Sequence, residues 1–162
     1  MIVGVRAALI CAKVDHKRRG NTYIDVLGDA LLAESSPGLV SAWLALHLDL
    51  DDTATAGRVD VTAQHFEQQV QIFQTREGLA GIEFPLLVPV LTPGPLTVIV
   101  SNTGDAGPVA RLNWSLGFVD NPKRLGAVAG QDLIQEARVH ARIVRDGMLK
   151  TMPAPRRGRT VN

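Results

Sequence analysis

His47 and Asp49 stand two residues apart in the run Trp43-Leu44-Ala45-Leu46-His47-Leu48-Asp49-Leu50, a spacing that brings an imidazole and a carboxylate to one face of an extended strand. They are half of a metal site. A tetrahedral zinc needs three or four such ligands, and the next one in reach is Asp60, so the spacing favours a structural charge pair. Asp49, Asp51 and Asp52 also gather at a strand end, where carboxylates can hold calcium, but a calcium cage takes 6–8 oxygens. Only Asp105 and Asp120 could supply more. No metal is expected, and these three aspartates are the residual candidates.

Nucleophilic chemistry finds no support in the residue pattern. No serine or cysteine lies in a strand-to-helix elbow, and no glycine-rich segment joins a strand to a helix as a phosphate site requires. The single cysteine, Cys11, sits in an apolar run and reads as a buried small residue. No catalytic residue and no cofactor are expected.

The elements that would carry these residues alternate with period two. Leu44, Leu46, Leu48 and Leu50 share one parity, and so do Ala110, Leu112, Trp114, Leu116 and Phe118, which places Trp114 in the core. One register satisfies both faces of a hairpin: Leu46 opposite Val61, Leu48 opposite Val59 and Leu44 opposite Ala63 inside, with Asp49 facing Arg58 and His47 facing Asp60 outside. Further strands are expected at Ile2–Ala12, Thr22–Leu32, Gln69–Thr75, Phe84–Leu91 and Leu96–Asn102, with turns at His16–Gly20, Ser35–Gly38, Pro93–Gly94 and Gly104–Pro108. Pro85 and Pro89 cannot donate to a ladder, so their strand belongs at a sheet edge or is irregular. About eight short strands without helical period predict a two-sheet antiparallel sandwich over residues 1–125.

The period then changes. Over residues 131–147, Leu133, Ile134, Ala137, Ala141 and Val144 share one helical arc edged by Arg138, Arg142 and Arg145, with Gly147 as a stop. Residues 148–162 form a basic extended tail carrying Arg156, Arg157 and Arg159. Formal charge is −3 over residues 1–130 and +4 over residues 131–162, so the two parts meet different surroundings. The helix either packs on its own sandwich or, with the tail, docks on another protein chain, of this kind or another. Nucleic acid is a lesser option for the tail. No apolar stretch reaches the ~18 residues of a membrane span, and Met1–Val5 shows no secretory pattern, so synthesis in the cytoplasm is expected.

Ala8-Leu9-Ile10-Cys11, then Tyr23-Ile24-Asp25-Val26-Leu27-Gly28, the Leu44–Leu50 alternation and the Phe84-Pro85-Leu86 to Pro93-Gly94 to Val98 segment resemble an uncharacterised family of small β-sandwich proteins of bacteria and phages. The resemblance covers about Val3 to Val119, implies the sandwich fold and brings no catalytic residues. The functional expectation is a non-catalytic structural or interaction subunit of a large assembly, such as a capsid- or tail-associated phage virion component, docking through the helix and tail. The alternatives are a sandwich that binds carbohydrate, lipid headgroup or calcium at the loops around Asp51 and Gly104, and a hydrolase with an unrecognised site.

Overall fold

A computed structural model describes residues 1–18, 20–51, 57–68, 81–102 and 107–151. The strands are β1 (Ile2–Lys17), β2 (Gly20–Leu27), β3 (Ala30–Ser36), β4 (Gly38–Leu50), β5 (Gly57–Ala63), β6 (Phe66–Gln68), β7 (Gly81–Val90), β8 (Gly94–Asn102) and β9 (Ala110–Arg124), followed by the helix α1 (Ala129–Thr151). They form a sandwich of two sheets, with strand orders β2-β1-β4-β7 and β3-β9-β8-β5-β6. The predicted strand Gln69–Thr75 and the tail arginines Arg156, Arg157 and Arg159 lie outside the described residues. No described helix is long and apolar enough to cross a membrane.

Alternation buries Leu44, Leu46 and Leu48 of β4 and Val59, Val61 and Ala63 of β5 in one core cluster. They belong to facing sheets and not to one. The expected hairpin is absent because both edges of β4 are taken, by β1 (Leu46 opposite Ala8) and by β7 (Leu46 opposite Ile82), while β5 pairs with β6 and β8. Burying each such leucine is worth about 1.5–3 kcal/mol, and a facing sheet supplies the apolar surface as well as a neighbouring strand does. β7, with Pro85 and Pro89, is an edge strand of its sheet, where their missing N–H groups cost the ladder least.

The expected strand Thr22–Leu32 is two strands in different sheets. The chain leaves β2 at Gly28–Asp29 and crosses to become β3, which pairs in parallel with β9, Ala30 opposite Ser115; the sandwich is therefore not wholly antiparallel. The following corner, Ser36–Pro37, leads into Gly38, where a Cβ would lie 2.4 Å from the Ser35 carbonyl oxygen, so only glycine fits. A buried side chain ties the two sheets. Asn102 at the end of β8 accepts from the Ile2 N–H at 2.7 Å and donates to the Ile2 carbonyl at 2.9 Å, imitating a ladder step between sheets.

The helix α1 packs on its own sandwich, along β7, β6 and β4. Ile134, Ala137 and Ala141 are buried in the main core and Val144 packs against it. Gly147 does not stop the helix, which runs on to Thr151; a glycine inside a helix costs only about 1 kcal/mol, and Met148, Leu149 and Lys150 are good helix formers.

Candidate functional site

Odd-numbered residues of β4 and β7, Trp43, His47 and Glu83 among them, occupy the outer face of the smaller sheet. β2 and β7 are opposite edges of that sheet, about 14 Å apart at three strand spacings. Yet Tyr23 Oη donates to Glu83 Oε1 at 2.7 Å and the Asn21 amide donates to both Glu83 oxygens at 2.7 Å. The far half of the β1–β2 hairpin must therefore fold back over the outer face. Beneath it lies a second small apolar layer: Cys11, Val14 and Ala45 are buried but belong outside the main core cluster.

Proton positions in this cluster follow from its partners. Because the Tyr23 hydroxyl donates to Glu83, the contact of 3.2 Å to His47 is a donation from His47 Nε2–H to the phenolic oxygen. His16 Nδ1 lies 3.2 Å from Asn21 Oδ1 and 3.5 Å from Glu83 Oε2, and its ring meets Trp43 edge-on. Burial first, then the hydrogen bond to Glu83 and its charge, push the Tyr23 phenol up to about 12. Burial, and to a smaller degree the Glu83 charge, also raises the Cys11 thiol, against a lowering hydrogen bond from the Lys13 backbone. A neutral phenol and a protonated thiol are poor nucleophiles, and the donors are committed to internal acceptors. The arrangement is a latch that holds the hairpin down.

The residues singled out in sequence are not brought together. Asp49 accepts from Arg6 Nε and a terminal nitrogen at 2.9 and 2.6 Å, not from Arg58. Arg58 pairs instead with Asp60 at 2.8 Å on the other sheet, and His47 meets Tyr23 rather than Asp60. Asp51 binds the Met1 ammonium at 2.6 Å, and Asp52, Gly104 and Asp105 lie outside the described residues. No group of three or more His, Cys, Asp or Glu among the described residues could hold a metal ion. Of the helix positions expected to face a partner, Ile134, Ala137 and Ala141 are buried in the chain's own core, a correction with a simple cause: the edges of β7 and β6 expose apolar surface that this arc covers. Leu133 and Val144 are half-buried, Arg138 lies over the Phe66 ring at 5.0 Å, Arg142 is exposed, and Arg145 contacts Asp146 at 3.1 Å.

A second region escaped the sequence reading. Between β1 and β9 a groove of about 460 Å³ is lined by Val5, Arg6, Ala7, Ala8, Asp29, Arg111, Leu112, Asn113 and Trp114. Trp114 is thus half-buried at the groove, not at the centre of the core. The expected alternation was correct for its parity, but among the described residues β9 has a strand on its β8 edge alone at this level, so its inward residues stay partly open. Searches of protein-family models, curated proteins and solved structures found nothing that matches this chain.

Proposed function

We propose that this chain is a non-catalytic interaction subunit of a larger protein assembly, meeting its partner through the side of the sandwich away from α1. The observation that carries the reading is the asymmetry of the two sides. α1 covers the edges at β7 and β6, whereas on the other side, among the described residues, β1 before Ile10 pairs with β4 alone and β9 before Ser115 pairs with β8 alone, so each keeps one edge without a strand. Large apolar side chains are left out on β1 and on the neighbouring β2 and β3, with Val3 58%, Val26 59% and Leu32 52% exposed, where a protein contact would cover them. The internal saturation of the Tyr23, His47 and Glu83 cluster supports a role other than catalysis. A virion component is one assembly of this kind. Size-exclusion chromatography with mass detection, on protein isolated without denaturation from its natural source, should give a mass above 17.4 kDa; a monomer there and at high concentration would refute the reading.

A further inference from the structure

We propose that the groove between β1 and β9 receives an extended segment of a partner protein, which adds as a strand to the free edge of β1; this deepens the interaction reading above and rests on it. The crossing at Gly28–Asp29 opens both sheets at one level. β2 pairs with β1 only from Ile10 to Lys17, which among the described residues leaves Val3–Leu9 bonded on the β4 side alone. β3 begins opposite Ser115, which among the described residues leaves Ala110–Trp114 bonded only to β8. Each sheet has therefore lost its edge strand where the other has, and the free stretch of β1 spans about 23 Å at ~3.3 Å per residue. Its outward N–H and C=O groups are the template that strand addition uses.

The groove also states what the added segment should look like. Its floor is apolar, from Val5, Ala8, Leu112 and Trp114, and its rims are polar, from Arg6, Asp29, Arg111 and Asn113. An alternating apolar and polar segment matches such a floor and rim. Arg6 is already paired with Asp49, while Arg111 has no ion pair among the described residues, so a carboxylate on the segment has a place to go. Residues 152–162 of this chain are the wrong chemistry, since Pro153 and Pro155 lack N–H donors and Arg156, Arg157 and Arg159 would face Arg6 and Arg111. A second copy's rigid edge is also disfavoured, because β1 carries irregularities between Ile2 and Gly4 and between Val5 and Ala7, and bulges of this type twist an edge out of register with itself.

The test uses the full chain and a synthetic peptide as long as the free stretch, alternating valine with threonine and carrying one central aspartate. At millimolar peptide, amide hydrogen exchange in Val3–Leu9 should slow by about ten-fold or more. Methylating alternate peptide nitrogens should remove that protection. Replacing the aspartate by lysine should weaken binding by roughly two- to five-fold, the scale of an exposed charge pair, and Arg111→Ala, an exposed change, should erase that difference. Unchanged exchange at Val3–Leu9, or equal binding of the methylated peptide, would overturn strand addition; the second result would mean a ligand held by side chains. Protection that appears without peptide and grows with protein concentration would overturn it in favour of a second copy. Assembly above 17.4 kDa with an unprotected edge sinks this inference and leaves the subunit reading, whereas peptide protection on a strict monomer does the reverse.

Discussion

Replacing Ile134 by alanine tests whether α1 is part of the core. Ile134 is 9% exposed and sits in the main cluster beside Ala137 and Ala141, with α1 lying along β7. The substitution removes three carbons, about 2.4 kcal/mol at ~0.8 kcal/mol each, and a residual cavity adds to it within the usual 2–5 kcal/mol range. The position is at the margin of the core, where neighbours can relax, so a cost of about 2.5–3 kcal/mol is expected. For a chain of this size each kcal/mol lowers Tm by about 2–4 °C, giving a fall of roughly 5–12 °C. Urea unfolding followed by circular dichroism should show a lower midpoint with an unchanged slope, since the same surface unfolds. Ile143→Ala on the outward face, where Ile143 is 65% exposed, should stay within about 0.5 kcal/mol. Equal and small effects of the two substitutions would refute the packing of α1 on the sandwich.

The chain has one tyrosine, so phenolate absorbance reports Tyr23 alone: its midpoint should lie near 12, and Glu83→Gln should bring it down toward the ordinary value of about 10. Because the folded value is raised, the neutral phenol is the stabilised form; that contribution is complete below pH ~10 and fades as pH rises from about 10 to 12, so stability should decline over that window in the parent and less in the variant. Asn102→Ala strands the buried Ile2 N–H and carbonyl, at ~1–3 kcal/mol for each unsatisfied group, and should cost about 2–5 kcal/mol by urea unfolding. Asp49→Ala breaks only the pair with Arg6, whose side chains are 39% and 72% exposed, and should cost less than about 1 kcal/mol; a loss of several kcal/mol would mean Asp49 has an unseen partner.

Period-two alternation in Leu44–Leu50, in Val59–Ala63 and in Leu112–Phe118 was enough to say which side chains face inward, and hence that the chain is a sandwich, because a strand's geometry puts alternate residues on opposite faces whatever lies beside it. Helical period marked the arc of Ile134, Ala137 and Ala141 for the same local reason. Pro85 and Pro89 narrowed their strand to an edge or an irregular one, since a missing N–H is a property of the residue itself, and the sheet order makes it an edge.

Partners were another matter. An apolar face is satisfied equally by a neighbouring strand and by the opposite sheet, so alternation cannot distinguish Leu46 beside Val61 from Leu46 across from it; occupation of both β4 edges by β1 and β7 decides that. Nor can an amphipathic arc say whose surface covers it. The latch and the groove depend on still longer connections. Glu83 meets Asn21 and Tyr23 across 62 and 60 residues, through a hairpin folded over a sheet face, and the gap between β1 and β9 exists because one strand changes sheets at Gly28–Asp29. Local sequence determines each residue's preferred face and period, which are set by backbone geometry. Which faces meet is settled by the burial of the whole chain at once, because non-directional apolar contact accepts any partner of the right shape.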